Sequence, residues 1–354
     1  MSPSRTAIPA ALASALLFGG TIPFAKLLAG DMSPLLLAGL LYLGSGLGLW
    51  TLRILRDRRL GLPQLPSRDW WCFLGAIAAG GVIAPVLLMS GLKQTAASSA
   101  ALLLNLEAVF TAVMAWLVFR ENTDRRLVFG MLLIVAGGAV LAWPPAAWPR
   151  SGTSLPAVRG ALFIAGACAC WAIDNNLTRR VSLVDADFIA GTKGLVAGMT
   201  NLSLAVVWGA VFPAPSILLS AMALGLLGYG VSLVLFVLAL RGLGAARAGA
   251  YFSTAPFLGA AIAIIALHES THSGFWLSAL LMAAGVAMHI TERHTHKHTH
   301  EALAHNHAHT HDAHHRHEHP SSWDGIEPHT HEHRHDVLTH DHPHYPDLHH
   351  RHGH

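Results

Sequence analysis

The amino-acid sequence predicts an all-α polytopic membrane protein with ten transmembrane helices, arranged as two inverted five-helix repeats, followed by a disordered histidine-rich tail. Three observations carry that prediction. Residues 7 to 291 are almost continuously apolar; over the whole 354 residues 53% are hydrophobic and only 12% charged, with a mean hydropathy of +0.44, whereas a soluble protein carries about 25% charged residues. The apolar part repeats itself: a shift of about 148 residues lays Leu92 on Leu240, Ala97 on Ala245, Ala112 on Ala260, Ala115 on Ala263 and Glu121 on Glu269. The charged flanks of the two copies fall on opposite sides, as they do in carriers built from inverted repeats.

A helix needs about 20 apolar residues to cross the bilayer core. Ten stretches qualify: 7–28, 33–53, 70–92, 97–119, 126–144, 158–179, 186–209, 215–239, 246–267 and 274–291. Pro63, Pro66, Pro144, Pro145, Pro149, Pro213 and Pro215 stand in the connections. The first stretch has Arg5 before it and resembles a secretory signal, but it is long and contains Pro23 and Lys26, so it reads as a retained helix. Small residues recur within spans, among them Gly44, Gly46 and Gly48, then Gly191, Gly194 and Gly198. They let helix backbones approach where lipid supplies no hydrophobic drive. The repeat boundaries are 7–144 and 158–291, with the tail at 292–354.

Lys and Arg favour cytoplasmic loops. With the amino terminus inside, inner connections hold Arg53, Arg56, Arg58, Arg59, Arg68, Arg120, Arg125, Arg126, Arg179, Arg180, Arg241 and Arg247, and outer ones only Lys26, Lys93, Arg150 and Arg159. Five spans per half is an odd number, so each loop faces the side opposite to its copy. The loop before span 3 accordingly holds five arginines and its copy before span 8 none. Both termini are expected in the cytoplasm of a bacterial cell, with the chain in its inner membrane.

Each half has a fourth span that opens on small residues and closes on an acid. These are Ala96-Ala97-Ser98-Ser99 to Phe119-Arg120-Glu121, and Gly249-Ala250-Tyr251-Phe252-Ser253-Thr254-Ala255-Pro256 to His268-Glu269. With the five-plus-five plan, residues 7 to 291 resemble the EamA-type permeases of the drug/metabolite transporter superfamily. The resemblance implies secondary transport, often export of a metabolite, and leaves the cargo open. Such permeases usually carry a proline midway along spans 4 and 9; here Pro256 fills that place in span 9, whereas span 4 has Ala108 beside Glu107.

Three ionisable residues fall well inside spans: Glu107 in span 4, Asp174 in span 6 and Lys193 in span 7. Each charge costs at least about 2.5–3.5 kcal/mol in lipid by insertion scales. The matched positions in the other half are Ala255, Thr21 and Leu40, so the scaffold itself does not require them. Spans 6 and 7 are consecutive and antiparallel, which makes an Asp174–Lys193 ion pair feasible. Two readings stay open. In one, the pair is structural and Glu107 bonds a neighbour such as Asn105 or Asn175. In the other, these groups line a polar cavity between the halves and Glu107 is the spare acid that carries a proton. Asn176 and Asn201 are further candidates for the lining.

Cys72, Cys168 and Cys170 form no disulfide framework and read as packing residues. From His294 to His354 there are 23 of the chain's 26 histidines. Many alternate, as in His294, His296, His298 and His300; His305, His307, His309 and His311; and His329, His331, His333 and His335. Alternate residues of an extended chain share a side, and imidazoles suit Zn, Ni, Co and Cu. With few apolar residues the tail is expected to be disordered without metal. No nucleotide loop or catalytic constellation is present, so no enzyme is expected and no cofactor is required beyond a divalent transition metal on the tail. Expected partners are the lipid bilayer, a small-molecule substrate and metal ions, with a homodimer left open and no nucleic acid. The function expected is a permease, an exporter of a small metabolite; the rival is a transition-metal carrier whose tail collects cargo.

Overall fold

The computed structural model describes residues 4–57, 67–119, 125–142, 154–178, 186–243 and 245–290, and in the tail 294–300, 303–309, 329–335 and 338–344. The chain divides into two compact units, Met1–Thr291 and Glu292–His354. Every regular element described in the first unit is a helix. Spans 1 and 2 are α1 (Ser4–Leu28) and α2 (Pro34–Asp57). Span 3 is α3 (Ser67–Ala76) joined through a π-helical stretch, Ile77–Ile83, to α4 (Ala84–Gln94). Span 4 is broken into α5 (Ala97–Leu103) and α6 (Leu106–Phe119), and span 5 is α7 (Arg125–Ala142). The second half follows the same order: α8 (Ser154–Thr178), α9 (Ala186–Val207), α10 (Pro215–Gly225) with a π stretch Leu226–Val231 and α11 (Ser232–Leu243), the broken pair α12 (Ala245–Phe252) and α13 (Ala255–Ala266), and α14 (Ser273–Ile290).

Among the described residues nine helices are long and apolar enough to cross a membrane. The tenth, α9, has 22 residues and carries Asp187 and Lys193, which lower its hydropathy without shortening it. The ten-span plan therefore holds. Duplication reaches details that hydropathy cannot show. Both third spans of a half widen into a π turn, and both fourth spans break near mid-membrane.

Contacts between the halves are close because small residues line them. α2 lies along α9. A Cβ on Gly46 would strike the backbone of Leu195, and one on Gly194 would come within 2.7 Å of the Gly46 nitrogen. Span 5 pairs with span 10 (α7 with α14) in the same manner. The end spans cross over. α8 packs against α3, α4 and α6 of the first half, and α1 against α11 and α13 of the second. The buried core runs through this crossover and includes Leu36, Leu37, Leu88, Leu92, Leu102, Ile164 and Met282. Large apolar side chains such as Trp71, Leu117, Val207 and Ile265 are exposed on what would be the lipid side.

The second unit is described by itself. It holds four strands, β1 (His294–His300), β2 (Leu303–His309), β3 (His329–His335) and β4 (Leu338–His344). β1 pairs antiparallel with β4 and β2 with β3. The strands follow the two-residue period of the sequence, with threonine among the alternating residues. The register sets His296 opposite His342, His298 opposite His340, His305 opposite His333 and His307 opposite His331.

Overpacking a close contact costs about 1–3 kcal/mol. Gly46→Leu should therefore lower the thermal unfolding midpoint in detergent or prevent recovery of a monodisperse protein. Gly249→Ala should leave the midpoint unchanged, since nothing lies within 4 Å of its Cβ position.

Candidate functional site

The two π stretches lie at matched places, with Gly80 in the first and Gly228 in the second. A π turn widens the helix and frees carbonyls, and such turns collect at functional sites. In the first, Tyr42 Oη and Trp171 Nε1 both donate to the Gly80 carbonyl, at 2.8 and 3.0 Å. Asn201 Nδ2 donates to the Gly81 and Val82 carbonyls at 3.4 and 3.3 Å. A side chain on Gly80 would collide with the Asp174 carboxylate, and one on Gly228 with the Thr21 hydroxyl. Thr21 and Asp174, matched in the sequence, thus fill equivalent places against matched glycines.

Beside the first π stretch stands a group of polar residues. Lys193 donates to Asp174 Oδ2, and Thr178 Oγ1 donates to Asp174 Oδ1 at 2.9 Å. The Asp174 side chain is 5% exposed and that of Lys193 18%, so the aspartate is the enclosed partner and the lysine reaches open space. Asn175, one residue further along α8, points another way and donates to Glu107 Oε1 at 2.8 Å. Glu107 sits in the first turn of α6, where the break in span 4 exposes the positive end of a half-helix. Span 9 breaks at the matched place with Pro256 in its first turn. Where span 9 has Ala255 and Pro256, span 4 has Glu107 and Ala108.

A cavity of about 350 Å³ opens next to this group. Tyr42 and Ser45 line it from the first half, and Asn175, Thr178, Lys193, Gly194 and Tyr229 from the second. The Tyr42 and Tyr229 rings, one from each half, meet at 5.4 Å between centroids. The lining runs from mid-bundle toward the face that carries Ser4, since Thr178 ends α8 and Ile189 lies in the first turns of α9.

The sequence candidates divide accordingly. Glu107, Asp174, Asn175 and Lys193 come together, and Asn201 holds the π stretch behind them. Asn105 Nδ2 turns to the Leu102 carbonyl at 2.9 Å and Asn176 Nδ2 to the Ala172 carbonyl at 2.8 Å, so both serve their own helices and stand apart from the cavity. His289 is packed against Gly130. Cys168 is buried and Cys170 half-buried, on different faces as their spacing implies. Among the described residues no group of three His, Cys, Asp or Glu side chains could hold a metal. His311 and Glu121 lie outside the described residues; the other tail histidines named above fall on β1, β2 and β3. Sequence reading missed Tyr42, Tyr229, Ser45 and Trp171. The available signal was the pair of matched glycine clusters, Gly80-Gly81 and Gly228-Tyr229-Gly230, in the middle of otherwise regular spans.

The EamA-like transporter family matches residues 5–143 and 158–291. The chain belongs to that family. An uncharacterized transporter of Methanothermobacter thermautotrophicus is 28% identical over 289 residues, covering 78% of this chain and 83% of its own length. A solved crystal structure aligns with a TM-score of 0.59 at 22% identity over 79% of this chain and 95% of its own. At that identity the likeness concerns the fold. This EamA-like protein is therefore a multi-pass membrane transporter.

Removing one partner of a buried ion pair costs about 3–5 kcal/mol, because the other charge is stranded. Lys193→Met alone should lower thermal stability more than Lys193→Met combined with Asp174→Asn, measured as unfolding midpoints in detergent. Equal damage from the single and double changes would contradict coupling.

Proposed function

We propose that this transporter exports a small metabolite across a bacterial inner membrane by alternating access, and that Glu107 couples export to protons. The observation that carries the reading is the cavity between the repeats, whose wall includes a lysine paired to an aspartate at membrane depth. Charges are costly there and mark substrate or ion pathways. Lys193, Asn175, Thr178 and Ser45 offer polar groups to a substrate, and Tyr42 with Tyr229 offers flat apolar surface. Glu107 bonds Asn175, and Asn175 lines the cavity. A change in protonation at Glu107 is thus transmitted to the substrate wall through one side-chain amide.

The arginine distribution supports placing the Ser4 face and both termini in the cytoplasm. The cavity then faces the compartment from which an exporter loads. The tail lies on the same side in this reading and binds Zn, Ni, Co or Cu through its histidines. A second reading, a transition-metal carrier fed by the tail, draws its support from those histidines.

Glu107→Gln keeps the side-chain shape and removes the titration. In vesicles it should abolish substrate accumulation driven by a pH gradient while leaving exchange at equal pH largely intact. The measurement is accumulation of a labelled amino-acid and metabolite panel beside labelled zinc, nickel and cobalt. Wild-type accumulation by the variant would make Glu107 structural, and accumulation of metal in place of metabolites would favour the second reading.

Deleting residues 294–354 should abolish zinc and nickel binding measured by calorimetry, yet leave metabolite export in place. Retained metal binding would locate the metal site in the membrane unit.

A further inference from the structure

The short turn between spans 3 and 4 is gripped by two charged side chains from distant parts of the chain. Lys26, near the end of α1, sends its ammonium group to the Leu92 carbonyl at 2.6 Å and the Thr95 carbonyl at 3.0 Å. These carbonyls close α4, where the helix dipole is negative. Glu269, just beyond α13, accepts from the Ala97 N–H at 2.7 Å and from the Ser98 N–H at 2.9 Å. These are the first amides of α5, which have no partner within the helix. Each charge thus meets the helix end of opposite sign. His268, in the left-handed region with φ 52°, turns the chain out of span 9 immediately before Glu269.

We propose that this double grip is a gate on the Leu28 face, made and broken in each transport cycle. The proposal rests on the alternating-access reading above. Three features point to it. The cavity runs toward the Ser4 face, and the grip sits at the opposite, Leu28 end. All four hydrogen bonds cross between separate elements, span 1 and span 9 on one side and the turn of spans 3 and 4 on the other. A shift of that turn therefore breaks them together. Lys26 and Glu269 are both half-buried, so water can take over their hydrogen bonds when they part. Asp174, 3% exposed, has no such access. The same two charge types recur in the sequence at the matched positions Arg179 and Glu121, which lie outside the described residues.

The test uses the full chain with Cys72, Cys168 and Cys170 replaced by alanine and one reporter, Ser45→Cys, in the cavity wall. Vesicles of both orientations are treated with a membrane-impermeant maleimide. With the grip intact, labelling should come from the Ser4 face. Glu269→Ala should raise the labelling rate from the Leu28 face by about tenfold, as expected when charge-assisted hydrogen bonds are lost. Lys26→Met, which leaves Glu269 in place, should do the same and decides the matter if Glu269→Ala does not insert. Folded variants with unchanged labelling from the Leu28 face would make the grip a static brace and overturn the gate alone. Absence of labelling from either face in the parent chain would instead overturn the cavity reading on which the gate rests.

Discussion

Lipid offers no hydrogen bonds, so every backbone group that leaves a regular helix within the bilayer must find its partner in the protein. That constraint organises this molecule. Among the described residues four spans are irregular, two through π turns and two through breaks, and several polar side chains of the interior are placed to serve them. Tyr42, Trp171 and Asn201 attend the first π stretch. Asn105 attends the break of span 4, and Thr254 Oγ1 donates to the Tyr251 carbonyl at the break of span 9. Polar residues in a bilayer are usually few; here many have a backbone carbonyl to satisfy.

Glu107 with Asn175, and Asp174 with Lys193, instead bond in side-chain pairs. Their placement follows from asymmetry between the halves. Thr21 sits against Gly228 as a small neutral hydroxyl, while Asp174 takes the equivalent place against Gly80 with a full charge. Ala255 and Pro256 begin α13, while Glu107 begins α6. At these matched interior sites one half is neutral and the other ionisable. The cavity chemistry is thus concentrated on one side of a pseudo-symmetric bundle.

Hydropathy and the shift of about 148 residues made the spans, the two halves and the matched positions legible. The ion pair was legible too, because consecutive antiparallel spans bring residues of similar depth together. What escaped was local backbone geometry. A π turn changes the hydrogen-bond pattern without changing composition, so Gly80-Gly81 reads like any other small-residue pair. Tyr42 and Tyr229 escaped for a related reason, since an aromatic ring facing a cavity and one facing lipid give the same hydropathy. Asn105 and Asn176 were drawn in by polarity alone, and their side chains are spent on carbonyls of their own helices.

The crossover of the end spans bears on how the protein is made. α8, the first span of the second half, packs against α3, α4 and α6, and α1 waits for α11 and α13. Until the ribosome has delivered the second half, the first five spans lack the helix that fills their groove, and α1 has no partner along much of its length. Tight packing must therefore follow insertion as a separate and later event, and the nascent first half depends on lipid or on the insertion machinery to cover its glycine-lined faces in the interval.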